Sequence, residues 1–141
     1  MKITDAAKAY DEILVVRPDE RIARVAARAT AERRLACVCT AERLLRGIAS
    51  PSDMRLGAMS GNAEWGEWPV RSVMNANPVT CRLGDGAEQV LDLMQQHEVR
   101  HVPIVDHDFL LLGLVSLADL LRRTRAQARR DVDFLTAFVF G

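Results

Sequence analysis

Apolar residues at Ile22, Val25, Ala26 and Ala29 recur at i, i+3, i+4 and i+7, which marks one face of a helix. Ala87, Val90, Leu91 and Met94 repeat that spacing further along the chain. Each pattern is followed by a short apolar run, residues 35–39 and 99–105, that predicts a strand. A polar break comes next, 40–43 in one case and Asp106-His107-Asp108 in the other, and then a second apolar run, 44–49 and 109–115. The short breaks predict hairpins. Each hairpin delivers the chain to a helix that starts after Ser50 or after Ser116. Upstream, Val15-Val16-Arg17-Pro18-Asp19 and Thr80-Cys81-Arg82-Leu83-Gly84 predict leading strands. The order is strand, helix, strand, strand, helix, written twice.

The two sets are copies of one unit. Gly47-Ile48-Ala49-Ser50-Pro51-Ser52-Asp53 recurs 66 residues later as Gly113-Leu114-Val115-Ser116-Leu117-Ala118-Asp119. A unit this small cannot bury its sheet face alone, whereas two facing each other can. The predicted architecture is α+β: two βαββα units in a pseudo-two-fold arrangement, sheets inward and helices outward. The first unit covers residues 1–59 and the second 70–124. Residues 60–69 read as a linker because Gly61, Asn62, Gly66 and Pro69 fall there. Trp65 and Trp68 predict that the linker packs on its own domain. Residues 125–141 predict a helical tail, and its apolar Phe134, Leu135 and Phe138 predict contact with a second subunit.

Composition narrows the function classes. The 141 residues are 49% apolar and carry 19 basic and 19 acidic side chains, so no net field draws the chain to nucleic acid or an anionic membrane. The longest apolar run, 109–121, falls short of the roughly 20 residues of a membrane span and is broken by Asp119. The N-terminal sequence has no apolar core of a secretory signal, which predicts a soluble, cytoplasmic protein. The three cysteines, Cys37, Cys39 and Cys81, predict small buried hydrophobes rather than a disulfide framework or a zinc site.

The repeated Ser-x-x-Asp carries the chemistry. By itself it is a capping pattern: the Ser hydroxyl accepts a first-turn N–H and the acid suits the positive helix end, and Pro51 fits the first helical position. Its recurrence at two strand-to-helix junctions adds a second reading. Free N–H groups at a helix opening bind phosphate, while a carboxylate accepts hydrogen bonds from both hydroxyls of a ribose.

Residues 70–80, Met94, Arg100-His101-Val102-Pro103-Ile104-Val105-Asp106 and Gly113-Leu114-Val115-Ser116-Leu117-Ala118-Asp119-Leu120-Leu121 resemble a CBS domain, the regulatory domain of the cystathionine-β-synthase type. The first copy resembles a more divergent CBS motif, and together they resemble a stand-alone CBS pair, or Bateman module. The resemblance implies a non-catalytic sensor that requires no cofactor, binds AMP, ADP, ATP or S-adenosylmethionine between the copies, and acts on a partner protein, commonly as a homodimer. It implies that Ser50 with Asp53, and Ser116 with Asp119, hold phosphate and ribose. It implies that Thr80 supports the Asp53 cleft, and that Arg100 and His101 reach phosphate. The first copy has Leu14-Val15 where Thr80 sits and no proline matching Pro103, so the Asp119 cleft lacks that hydroxyl.

Two other readings remain. A ligand-free dimeric scaffold would keep the fold and lose the clefts. A nucleic-acid-binding module would use Arg122, Arg123, Arg125, Arg129 and Arg130. His97, His101 and His107 with Asp106 and Asp108 read as hairpin chemistry rather than a catalytic or metal cluster.

Overall fold

The computed structural model describes residues 1–140, with the side chains at 127, 134–136 and 138–140 outside the described set. The elements run β1 (Lys8–Ala9), β2 (Leu14–Val16), α1 (Ile22–Glu32), β3 (Ala36–Cys39), β4 (Leu45–Ala49), α2 (Pro51–Ala58), α3 (Ala87–His97), β5 (His101–Val105), β6 (Leu111–Ser116) and α4 (Leu117–Phe140). One sheet has the order β2-β3-β4 and the other β1-β6-β5.

The predicted apolar faces are the buried ones. Ile22, Val25 and Ala29 of α1 pack with Leu14, Ala36, Val38 and Met54. Ala87, Val90 and Met94 of α3 pack with Cys81, Val102, Val115 and Leu120. Both helical cores lie outside a third core between the sheets, where Cys37, Cys39 and Leu45 meet Val105, Leu111 and Leu114. The layers are thus helices, sheet, sheet, helices. Strand β3 explains why no polar alternation is seen there: Ala36 and Val38 face one core, Cys37 and Cys39 the other. All three cysteines are free and buried, and burial pushes the Cys37 and Cys81 thiols up to about 12 and Cys39 to about 11.

The pseudo-two-fold is written into backbone hydrogen bonds. Leu45 N–H donates to the Phe109 carbonyl at 3.1 Å and Leu111 N–H to the Arg43 carbonyl at 2.8 Å. Arg43 and Phe109 are themselves equivalent hairpin residues, both in the left-handed region at φ 71° and 64°. Arg33 and Glu98, which end α1 and α3, form a second left-handed pair at φ 52° and 54°. Repeating these conformations without glycine, at order 1 kcal/mol each, indicates that both copies are held in one backbone path by their surroundings.

Three features depart from the pattern reading. The leading strand of the second copy shrinks to a single parallel bridge, Cys81 with Ile104. Downstream the chain turns at once: the Arg82 N–H donates to the Asp85 side chain at 2.9 Å and the Asp85 N–H to the Arg82 carbonyl at 3.1 Å. Strand β1, which no periodicity announces, adds to β6 with Lys8 opposite Leu114 and Ala9 opposite Gly113. Finally, the cores exchange their leading segments. Ile3 and Ala6 are buried in the core of α3 and α4, while Val70 is buried with α1 and α2. Residues 1–59, 60–69 and 70–124 thus follow one another along the chain, but the packing interleaves across them.

The exchange explains the repeated glycine. The incoming segment lies so close to each second strand that a Cβ at Gly47 would stand 2.6 Å from the Asn75 carbonyl oxygen. A Cβ at Gly113 would strike the Lys8 carbonyl oxygen. Trp65 packs against the core of the first copy, with its indole over Gly57.

Helix α4 runs unbroken across residues 124 and 125 and is exposed from Leu121 onward at the described positions. The expected contacts of Phe134, Leu135 and Phe138 fall on side chains outside the described residues. No described helix is long and apolar enough to cross a membrane.

Candidate ligand-binding cleft

A cleft of about 90 Å³, open to solvent, lies between the copies at the opening of α4. The second copy supplies Ser116, Asp119, His101 and Leu114; the first supplies Ile13, Leu14 and Leu35, with Arg33 and Arg34. Lys8 and Glu12 complete it. The wall of Ile13, Leu14, Leu35 and Leu114 suits the face of a planar base.

Local chain geometry places each polar group. Strand β6 ends at Ser116, whose hydroxyl accepts the Asp119 N–H at 3.1 Å and so caps α4. His101 begins β5 directly opposite Ser116 in the antiparallel ladder. Arg33 and Arg34 reach the cleft from the left-handed turn that stops α1. Lys8 is held there because β1 pairs with β6.

The Asp119 side chain is 15% exposed and carries two ion pairs, Oδ2 with Lys8 Nζ at 3.9 Å and Oδ1 with Arg122 at 3.2 Å. His101 is held below its ordinary value of 6.5, first by burial and then by Lys8 and Arg100, against the opposing pull of Asp119. At neutral pH its ring is therefore uncharged. Three cations and two carboxylates line the cleft, and a helix opening faces into it.

The other expected site residues lie elsewhere. Ser50 and Asp53 occupy the equivalent position at α2, where each accepts the other's backbone N–H at 3.1 Å and the capping box is complete. Asp53 is exposed there. Thr80 is half-buried just ahead of the Cys81 bridge; the register equates it with Val15, whose side chain packs between the sheets. The Arg100 side chain is exposed and lines a separate groove with Leu91, Leu117 and Leu121. The structure thus brings together Ser116, Asp119 and His101. Sequence reasoning missed Lys8, Glu12, Arg33 and Arg34. A signal existed for two of them, since the first copy reads Arg33-Arg34 where the second reads Glu98-Val99.

Comparison with known proteins fits this architecture. The family model of the CBS domain matches residues 70–125. An inosine-5'-monophosphate dehydrogenase of Halobacterium salinarum is 34% identical over 88 residues, 62% of this chain and 17% of that protein. The CBS domain-containing protein YhcV of Bacillus subtilis is 34% identical over 77 residues, 55% of this chain and 54% of that protein. The chain therefore spans about half or less of the length of these two relatives. Among solved structures, CBSX2 of Arabidopsis thaliana in complex with AMP superposes with a TM-score of 0.82 at 17% identity, covering 90% of this chain and 98% of that one. The CBS domain pair of MJ0100, in complex with 5'-methylthioadenosine and S-adenosyl-L-methionine, gives 0.77 at 16% identity, covering 88% and 99%. The chain thus carries a CBS domain at residues 70–125, and its two copies together have the fold of these CBS-domain pairs.

Proposed function

We propose that the chain is a non-catalytic regulatory module that senses an adenosine nucleotide in the Asp119 cleft. The observation that carries this reading is the half-buried Asp119 carboxylate in a cleft between the copies, beside an apolar wall and three cations. Asp119 accepts the ribose hydroxyls, the leucine and isoleucine side chains cover the base, and the helix opening with Lys8, Arg33 and Arg34 faces the phosphate. The AMP held by CBSX2 and the adenosyl ligands held by MJ0100 support this chemistry in the same fold. The cations favour AMP, ADP or ATP over S-adenosylmethionine, whose sulfonium is positive.

Such a module works by population shift: the ligand favours one arrangement of the copies, and a partner protein reads it. We place it in the cytoplasm as a homodimer acting on a separate protein. The test is a thermal-shift series with AMP, ADP, ATP and S-adenosylmethionine. Saturation at about 100 times Kd adds roughly 2.7 kcal/mol, or about 5–10 °C for a chain of this size. A flat response to all four ligands would leave the scaffold reading in its place.

A further inference from the structure

The cleft carries a group that competes for its own anchor. Asp119 Oδ1 is taken by Arg122 from within α4, whereas Oδ2 is taken by Lys8, which lines the cleft. A ribose arriving at Asp119 therefore meets Lys8 first. The Lys8 backbone is fixed by pairing with Leu114 and by its close approach to Gly113. Its side chain is 54% exposed, which leaves the ammonium free to turn. The equivalent position beside Asp53 is Asn75, which bridges Ile48 as Lys8 pairs with Leu114. The competing cation thus accompanies the Asp119 copy of the motif and not the Asp53 copy.

We propose that Lys8 sets the ligand class of the Asp119 cleft, by holding the carboxylate until a ligand brings both a ribose diol and a phosphate. A diol alone displaces Lys8 from Asp119 and offers it nothing in return. A diol joined to a phosphate takes the carboxylate and gives the released ammonium an anion to bind. The ion pair that opens is replaced by another, so phosphorylated nucleosides are accepted and neutral nucleosides are discriminated against. This inference rests on the adenosine-nucleotide reading of the cleft and goes beyond it by assigning the discrimination to one side chain.

The experiment is calorimetric titration of the full chain with AMP and with adenosine, for the wild type, Lys8→Met and Lys8→Arg. The expected wild-type preference for AMP is at least tenfold. Lys8→Met should raise adenosine affinity and lower AMP affinity, narrowing the preference about tenfold, while Lys8→Arg should largely restore it. Equal weakening of both ligands by Lys8→Met, or an unchanged preference, would overturn the role of Lys8 and leave the nucleotide site standing. Wild-type binding of neither ligand would overturn the site itself, and the role of Lys8 with it.

Discussion

At the opening of α2, the Asp53 carboxylate folds back on the Ser50 N–H and completes a capping box. At the opening of α4, the same motif keeps only the Ser116 half of that arrangement, and the Asp119 carboxylate meets Lys8 and Arg122 instead. The surroundings differ in the same sense. Around Asp119 stand Lys8, Arg33, Arg34 and His101; at the equivalent positions around Asp53 stand Asn75, Glu98, Val99 and Leu35. One copy of the motif spends its acid on helix stability and the other presents it to a cavity. A motif read alone cannot separate these uses, because both leave the Ser and Asp at the same spacing. The charge of the neighbouring turn, contributed by the opposite copy, separates them.

The largest test of this contrast is at the two aspartates. Asp119→Ala should reduce AMP affinity by tenfold to a hundredfold in calorimetry, the loss of about 1.5–3 kcal/mol from hydrogen bonds to a charged acceptor. Asp53→Ala should leave that affinity within about twofold, and comparable losses at both positions would erase the distinction. The next effect in size concerns the crossing segment. Gly113→Ala should destabilise the fold by roughly 1–3 kcal/mol in urea denaturation, because its Cβ would strike the Lys8 carbonyl and push β1 out of place. It should weaken AMP binding as well, whereas Gly47→Ala should cost stability without that loss. Asp53→Ala should itself cost about 1 kcal/mol of stability through the broken capping box.

The smallest effect is a pH dependence. His101 titrates lower in the folded chain than unfolded, so the unfolded state binds its proton first as pH falls through 6.5. Stability from this residue is full above that value and declines below it, levelling off once the folded state protonates too. His101→Gln should flatten the slope of Tm against pH between 5 and 7, and an unaltered slope would remove His101 from the account.

The sequence makes the repeat, the two amphipathic helices, the hairpins and the inward-facing sheets legible, because each leaves a period in the chain. Ile22-Val25-Ala29 and Ala87-Val90-Met94 lie where their spacing puts them. Two other things leave no period. Strand β1 is two residues long, too short for alternation to register, yet it brings Lys8 to Asp119. Arg33 and Arg34 stand at a helix end, where cations also complement the helix dipole, so their place in a cleft depends on how the copies face each other. Thr80 shows the reverse case, a residue legible from resemblance whose counterpart Val15 lies between the sheets while the cavity opens beside Leu14.

The exchange of leading segments has a consequence for how the molecule comes into being. On the ribosome, Ile3 emerges well before the surface that buries it, which is built from Val90, Val102, Val115 and Leu120, about a hundred residues later. The first copy likewise waits for Val70. Neither half can therefore be finished while the other is unsynthesised, and the segment that carries Ile3 settles only after the second copy exists.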